Sequence, residues 1–397
     1  MFKRNVLAAS MTLAALCSAQ AAMADINGGG ATLPQPLYQT SGVLTAGFAP
    51  YIGVGSGNGK SAFLNNDYTK FVAGTTGKNV HWAGSDSKLS ATELSAYASG
   101  HEAAWGKLIQ VPSVATSVAI PFNKAGTAAV DLSVNDLCGV FSGRVSTWNQ
   151  IAGSGRTGAI TVVYRNESSG TTELFTRFLN AKCAETGTFA VTTNFASSYS
   201  GGLPAGAVAA VTSQGVMDAL NAADGRITYM SPDYAATTLA GLDDATKVAK
   251  VAGVSPAPAN VSAAIEAIEP PTVLRKDGTI VDGTKPNNWV PVFAASASAT
   301  DPSVVPYPTT GYPILGFTNL IFSQCYADAT QTSQVRTFFG RHYGSSSLTN
   351  NDNAIKNNRF VPLPAAWKTA IRDNFVNASN VLSIGNTSVC NTIGRPL

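Results

Sequence analysis

Arg165 and the small polar residues after it could together bind an oxyanion. The sequence Ser-Ser-Gly-Thr-Thr at 168–172 lies between an apolar segment, 162–164, that predicts a strand end and an apolar helical face that begins at Leu174. Residues 169–172 therefore fall where a helix should begin. Free N–H groups and hydroxyls at a helix start bind tetrahedral oxyanions, and an arginine can clamp such an anion through two hydrogen bonds. The alternative, from this segment alone, is an ordinary capped helix beside a surface arginine.

Two glycine-rich segments nearer the N-terminus are compatible with the same chemistry. The triple glycine at 28–30 lets a backbone approach closely, and Pro34 suits the first turn of a helix just after it. The segment 53–61 resembles a nucleotide-binding loop, but that motif, G-x-x-x-x-G-K-[ST], requires glycine where the chain has Val54. We therefore expect no nucleotide site, although the loop can present Ser56 and backbone amides to a smaller anion. The alternatives are a flexible start of the mature chain and an uninvolved turn.

Asp86 is a single carboxylate between a predicted strand, 80–83, and a predicted helix, 87–97. The simplest interpretation is a helix cap, because aspartate often occupies that position. A carboxylate also fits an anion site if the anion carries a proton, since Asp86 can accept the hydrogen bond of hydrogen phosphate. Fully ionised sulfate would meet the same oxygen lone pair against lone pair, so one repulsive group would give selectivity.

The elements that must position these residues alternate between short apolar runs and helical patterns, which predicts layered α/β structure. Strands are predicted at 80–83, 114–122, 160–164, 227–230 and from 312 to 325, and helices at 87–97, 133–141, from 171, at 211–221, at 333–343 and at 365–377. The segment 232–312 is rich in Ala, Pro, Thr and Asp. It predicts irregular excursions with at most one helix.

Residues 1–24 predict an export signal. A basic start precedes an apolar run at 6–16, and Ala22-Met23-Ala24 fits the small-x-small cleavage rule. The run is too short to span a bilayer comfortably, and the large residue before Cys17 disfavours lipid attachment there. We therefore expect cleavage after Ala24 and export without a retained anchor.

Composition excludes several classes of function. The leader carries two of the 26 Lys and Arg residues and none of the 23 Asp and Glu residues, so the mature net charge is +1 and no strongly basic surface for nucleic acid is expected. A hydrophobic content of 45% argues against disorder, and the length favours two lobes. The three histidines lie far apart in sequence and no C-x-x-C motif is present, so no metal or cofactor is expected.

The order of the motifs along the chain is more specific than any one of them. An Asp-Ile-Asn-Gly start at 25–28, the glycine-rich loop 53–59, Gly84-Ser85-Asp86, the Phe-Ser-Gly-Arg and Thr-Trp-Asn sequences at 141–149, and the Arg165 segment closely resemble the DING proteins. These belong to the phosphate-binding proteins of bacterial phosphate-uptake transporters. The resemblance covers nearly the whole mature chain.

This resemblance implies a two-lobed periplasmic-binding-protein (Venus flytrap) fold with phosphate in the cleft between the lobes. The family's ligand pattern transfers to Thr32, Leu33, Ser56, Asp86, Arg165, Ser169, Gly170 and Thr171. Arg165 would supply the charge, Asp86 the acceptor, and the others N–H and hydroxyl donors. One departure is Glu167, where the wider transporter family commonly has aspartate, although the ligand positions themselves are kept.

The resemblance also divides the mature chain. Lobe one would contain residues 25–112 and 313–397, and lobe two residues 113–312. Four cysteines remain after cleavage, and an even count in an oxidising compartment predicts two disulfides in one of three pairings. With the lobes so divided, we predict Cys138–Cys183 and Cys325–Cys390, because each pair stays within one lobe and leaves closure free.

The function implied is high-affinity binding of inorganic phosphate by a monomer that is not an enzyme. The protein would act in the periplasm, or be secreted outside the cell, and would deliver phosphate to an ABC phosphate permease, with arsenate as a competitor. The enzymatic alternative is a phosphatase or phosphoesterase, but the sequence has no G-x-S-x-G, no H-E-x-x-H and no histidine near Ser56 or Ser169. An adhesive or matrix protein is a third reading, which leaves the ligand set unexplained.

Overall fold

The fold is built from two six-stranded sheets with helices packed against them, and from a small two-stranded sheet at residues 292–306. The structure is a computed structural model that describes residues 26–396, so the predicted leader and Asp25 lie outside the described residues. Within this range no helix is both long and apolar enough to cross a membrane.

Most of the strands are short, and two of them, β4 and β13, are long. The strands are β1 (Gly28–Gly30), β2 (Ile52–Gly53), β3 (Trp82–Ser85), β4 (Leu108–Ser117), β5 (Ile120–Asn123), β6 (Asp131–Leu132), β7 (Thr161–Arg165), β8 (Val208–Ala210), β9 (Arg226–Ile227), β10 (Val248–Val251), β11 (Val292–Ala294), β12 (Val304–Pro306), β13 (Leu315–Ser323) and β14 (Val361–Pro362).

The helices alternate with the strands through most of the chain. They are α1 (Gln35–Gln39), α2 (Ser56–Asn65), α3 (Ala91–Gly100), α4 (Glu102–Trp105), α5 (Val134–Ser142), α6 (Gly170–Lys182), α7 (Thr212–Asn221), α8 (Pro232–Ala235), α9 (Pro258–Ile265), α10 (Ala329–His342), α11 (Asp352–Asn357) and α12 (Ala365–Phe375). Short 3₁₀ helices lie at Tyr68–Lys70, Trp148–Gln150, Phe195–Ser197, Ala240–Leu242 and Pro286–Trp289.

The first sheet has the order β14-β4-β13-β3-β1-β2. β1 pairs in parallel with β2 and β3, whereas β13 runs antiparallel to both β3 and β4. β13 therefore joins the N-terminal strands to β4. The core beside this sheet contains Trp82 of β3, which stacks on Phe322 of β13 with ring centroids 5.5 Å apart and planes 8° apart.

The second sheet has the order β6-β10-β5-β9-β7-β8. β7 pairs in parallel with β8 and β9, and β5 is antiparallel to β9 and β10. Phe175 of α6 packs on this sheet against Phe141 and Tyr229, with centroids 4.6 Å away in each case. This apolar contact fixes α6, and hence its first turn, relative to the end of β7.

Two secondary-structure predictions between residues 114 and 312 are wrong. The strand predicted at 114–122 is two strands, because β4 ends in the first sheet and β5 begins in the second; both are buried, so apolar periodicity could not reveal the change of sheet. The segment 232–312 is also more regular than predicted, since it contains β10 inside the second sheet as well as α8 and α9. The short run Val-Ala-Lys-Val of β10 carries too little pattern to be recognised as a strand.

The division into lobes stays a proposal, and we place its first boundary after Ser117 rather than at 112/113. β4 pairs with β13 as far as Ser117, so residues 113–117 belong to the first sheet. Part of the segment proposed for lobe two also rests on lobe one. Trp289, for example, packs against Phe375 of α12 at 4.9 Å.

The two predicted disulfides, Cys138–Cys183 and Cys325–Cys390, are confirmed. A second anchor lies near the latter: Arg395 is fully buried and donates hydrogen bonds to the carbonyl oxygens of Val80, at 2.6 Å, and Phe63, at 2.7 Å. Its guanidinium also lies 3.8 Å from the centroid of the Phe63 ring. The C-terminal segment thus holds the last turn of α2 and the chain just before β3.

Candidate anion-binding site between the two sheets

Three helix starts converge between the sheets. Thr32 and Leu33 lie between β1 and α1, Ser56 is the first residue of α2, and Gly170 is the first residue of α6. Two further candidates, Asp86 and Arg165, lie at the carboxyl ends of β3 and β7. Parallel strands and the helices that follow them place such residues at one edge of a sheet, where ligands of α/β proteins bind.

All of the proposed ligand side chains are buried, none more than 3% exposed. The first two N–H groups of α6, those of Gly170 and Thr171, have no acceptor within the helix, so they are available to an anion. The Ser169 hydroxyl accepts a hydrogen bond from Thr172 N at 3.2 Å and caps this helix. The position of α6 therefore follows from its cap and from its apolar face.

Direct contacts join the start of α2, beside the first sheet, to the segment before α6, beside the second sheet. Gly57 N, at the start of α2, donates to the Ser168 carbonyl oxygen at 3.3 Å. A Cβ atom on Gly170 would lie 2.4 Å from Ser56 Oγ and 2.6 Å from Asp86 Cβ, so only glycine allows α6 to approach this closely. Ser56, Asp86 and Gly170 are thereby brought together.

Arg165 is fixed by a carboxylate of its own lobe. Its Nε donates to Glu167 Oε1 at 2.7 Å, and Nη2 forms an ion pair with the same oxygen. Thr212 N, at the start of α7, donates to that oxygen at 2.8 Å. Because the Arg165 side chain is only 4% exposed, the alternative of a surface arginine is wrong. These contacts hold the guanidinium in one orientation.

Asp86 is not a helix cap, so that alternative is also wrong. The next helix, α3, begins at Ala91 and is capped by Ser90, whose hydroxyl accepts from Glu93 N while Glu93 bonds back to Ser90 N. The predicted start at residue 87 was four residues too early. Asp86 is therefore free to serve the cleft.

The Asp86 carboxyl group is surrounded by donors and by one cation. Its Oδ1 accepts a hydrogen bond from the Thr318 hydroxyl, and its backbone N–H donates to Ser56 Oγ at 3.1 Å. Burial raises the pKa of Asp86 to about 7, against the opposing effects of the Thr318 hydrogen bond and the Arg165 charge. The Thr171 hydroxyl also helps to lower this pKa, although it makes no regular hydrogen bond within residues 26–396. A carboxyl group of this kind can exist with or without its proton near neutral pH.

Sequence reasoning missed three residues of the site. Thr318 donates to Asp86, the Tyr229 hydroxyl accepts from Arg165 N at 3.3 Å and bonds Thr172 Oγ1 at 2.7 Å, and Ser213 contacts Thr32. The one usable signal was the polar pair Thr-Asn inside the apolar strand β13. Nothing in the local sequence indicates the other two contacts.

The arrangement can bind and orient an anion, and among the described residues no histidine forms a hydrogen bond to its serines. His81 and His342 are buried in the first lobe, where they bond Gln331 and Ser113, and burial lowers the pKa of each to about 4. Neither touches Ser56 or Ser169 among the hydrogen bonds of the described chain. Residues 26–396 also contain no cluster of three or more His, Cys, Asp or Glu side chains that could hold a metal ion.

The sequence and the fold both match known proteins. The family model of the PBP superfamily domain matches residues 19–338. The chain is 73% identical to "Alkaline phosphatase L" of Pseudomonas aeruginosa, over 100% of both chains. It is 67% identical to a "Phosphate-binding protein" of an unknown prokaryotic organism, over 94% of this chain and 100% of the other.

A solved structure agrees closely with this fold. It is that of PfluDING, described as a high-affinity periplasmic phosphate-binding protein bound with phosphate, which is 73% identical to this chain. The comparison covers 94% of this chain and 100% of PfluDING, with a TM-score of 0.89. The fold expected from the resemblance is thus confirmed, and the chain belongs to the DING group of phosphate-binding proteins within the PBP superfamily.

Proposed function

We propose that the protein captures inorganic phosphate with high affinity in the closed cleft. The observation that carries this proposal is the pairing of a buried carboxyl group, Asp86, with a buried, pre-oriented guanidinium, Arg165, between helix starts from both sheets. A site with one cation, many donors and one acceptor matches an anion that is both charged and protonated. Phosphate bound to PfluDING supports the same ligand for this chain.

The proposed ligands divide by chemistry. N–H and hydroxyl donors come from Thr32, Leu33, Ser56, Ser169, Gly170 and Thr171, with the charge from Arg165. Asp86 accepts the phosphate proton, so hydrogen phosphate binds with every polar group paired. When Asp86 is ionised, sulfate leaves two acceptors face to face, which costs free energy in a buried site.

We place the protein in binding rather than catalysis. Two relatives from Pseudomonas aeruginosa at 73% identity bear the name "Alkaline phosphatase L", which keeps phosphoester hydrolysis as the competing function. A serine nucleophile would need a base within hydrogen-bonding reach, and the group beside Ser56 is Asp86, whose amide donates to Ser56 Oγ and whose carboxyl group also interacts with the Ser56 hydroxyl. We assign this carboxyl group, beyond its bond from Thr318, to the phosphate proton, so Asp86 would bind the anion rather than activate Ser56.

The cellular role that we propose follows from the family and from the predicted leader. The protein would be exported, act as a monomer in the periplasm or outside the cell, and pass phosphate to an ABC permease. Arsenate, which has the same geometry and a similar proton count, would compete for the site. A similar protein is "Phosphate-binding protein PstS 3" of Mycobacterium leprae, at 26% identity over 81% of this chain and 76% of the other.

Titration calorimetry on protein freed of bound ligand tests the proposal. We expect one phosphate per chain with sulfate far weaker, and an absence of phosphate binding would overturn it. Turnover of a chromogenic phosphate ester is measured in parallel. Turnover that survives rigorous purification and is abolished in Arg165→Ala would favour the enzyme instead.

A further inference from the structure

A pair of hydroxyl groups joins the two lobes beside the proposed site. Ser213, the second residue of α7, lies in lobe two, and its Oγ is 2.9 Å from Thr32 Oγ1 of lobe one. Ser213 N also donates to Thr32 Oγ1 at 3.2 Å. The two residues are 181 positions apart in the chain, and both are almost completely buried. This contact exists only while the lobes are closed.

The start of α7 is held in place by the same carboxylate that holds Arg165. Thr212 N donates to Glu167 Oε1 at 2.8 Å, so the chain of contacts runs from the cation through Glu167 to Ser213 and Thr32. Thr212 has a φ of +59°, which is strained for a β-branched residue. The strain lies where α7 turns toward both Glu167 and Thr32, and these bonds offset it.

The direction of the bond between these two hydroxyl groups decides what Thr32 can offer to an anion. Thr32 Oγ1 has one hydrogen atom, and it already accepts a bond from Ser213 N. If the Ser213 hydroxyl also donates to it, the hydrogen of Thr32 is left for the anion. If Thr32 donates to Ser213 instead, its hydroxyl hydrogen is no longer available to the anion. Only the backbone N–H of Thr32 can then bind the anion.

We propose that Ser213 is a positioning residue of the phosphate site, which turns the Thr32 hydroxyl toward the anion and latches the lobes in the closed state. The proposal rests on the proposed function, because it assumes that phosphate occupies this cleft. Ser213 acts through Thr32 and supplies no bond to the anion. Its contacts form after the anion has entered, so they slow phosphate release and leave association unchanged.

The test compares phosphate exchange in native protein, Ser213→Ala, Ser213→Thr and a control, Gln214→Ala. Gln214 is the next residue of α7, is exposed, and bonds only Asp218 among the described contacts. Release is followed as loss of labelled phosphate after a chase with unlabelled phosphate, and calorimetry supplies the affinity from which the association rate follows. We expect about tenfold faster release in Ser213→Ala, from the loss of one buried hydrogen bond, with association unchanged. The control should match native protein.

The variants separate a positioning role from general damage. Ser213→Thr keeps the hydroxyl and should restore slow release, even if Ser213→Ala proves less stable to heat. Release from Ser213→Ala at the native rate or more slowly would overturn the proposal, and so would fast release from both Ser213 variants. Failure of native protein to bind phosphate would instead refute the proposed function, so the two failures are distinguishable.

Discussion

Replacing Arg165 with alanine should weaken phosphate binding by far more than the loss of one contact. The guanidinium is buried and can donate two charge-assisted hydrogen bonds to the anion, which together are worth about 3 kcal/mol or more. The replacement also leaves the Glu167 carboxylate, now without its cation, beside a dianion. The replacement therefore removes the attraction between Arg165 and phosphate and leaves the repulsion between Glu167 and phosphate uncompensated.

The repulsion can be estimated from the burial of Glu167. Its side chain is 21% exposed, so an intermediate dielectric applies rather than that of a dry interior. If the anion lies about 6 Å from the Glu167 carboxylate, two unit charges repel by about 3 kcal/mol at an effective dielectric constant of about 20. The single variant should therefore lose about 3–6 kcal/mol, which is a factor of about 10²–10⁴ in affinity.

Calorimetry on ligand-free protein would compare Arg165→Ala with the double variant Arg165→Ala/Glu167→Gln. Neutralising Glu167 should recover about tenfold or more of the lost affinity, because the repulsion is removed while the missing bonds stay missing. Arg144→Ala is the matched control, since Arg144 also pairs with a glutamate, Glu185, but is 44% exposed. A near-native affinity in Arg165→Ala would refute the site, and equal affinities for the single and double variants would refute the role given to Glu167.

Three further predictions concern selectivity and stability. Asp86→Asn should lose more of the preference for phosphate over sulfate than of the affinity for phosphate, because an amide can donate to sulfate or accept from hydrogen phosphate. Competition titrations at pH 7 to 8 should show that sulfate gains most affinity. An unchanged preference for phosphate over sulfate would contradict the role of Asp86. Burial raises the pKa of Asp233 to about 7. The protonated carboxyl group therefore favours the folded state below pH 4, and this contribution to the free energy of unfolding is lost as the pH rises through 7. In ligand-free protein, Asp233→Asn should therefore raise stability at pH 8 by on the order of 1–3 kcal/mol and change it little at pH 4, as measured by urea unfolding, whereas an equal change at both pH values would contradict this. Removing the disulfide with Cys325→Ser/Cys390→Ser should cost at most about 4 kcal/mol on chain-entropy grounds, and urea unfolding without any loss would show that the Arg395 anchor suffices.

The site was more predictable than the contacts that complete it. Its donors can be recognised from short segments of sequence. Each segment of about ten residues contains a strand end, a turn of small residues and a helix start. The Asp86 interpretation was split between a cap and a ligand because both need the same local pattern. Thr318 and Ser213 reach the site from more than 180 positions away in sequence, so only the fold could bring them there.

The fold was predictable where pattern and length agreed. Helices α5 and α6 begin within one residue of their predicted starts, because a serine cap and an apolar face mark each of them. Helix α12 also begins at its predicted start, although Pro364 before it makes no side-chain cap. The break between β4 and β5 was not visible, since both strands are buried and the two residues between them, 118 and 119, are apolar as well. Pairing partners, rather than hydrophobicity, distinguish the two sheets.

The position of β13 in the first sheet also determines the order in which the two sheets can form when the chain becomes available from its N-terminus onward. The second sheet uses residues 120–251 alone, so it can be completed early. The first sheet stays in two fragments, one ending in β3 and one in β4, until β13 arrives to pair with both. Until then each fragment presents an unpaired strand edge, the kind of surface that templates aggregation. The interval between the synthesis of β4 and that of residues 315–323 therefore sets how long the edges that β13 covers stay exposed, and β14 then pairs with the other edge of β4.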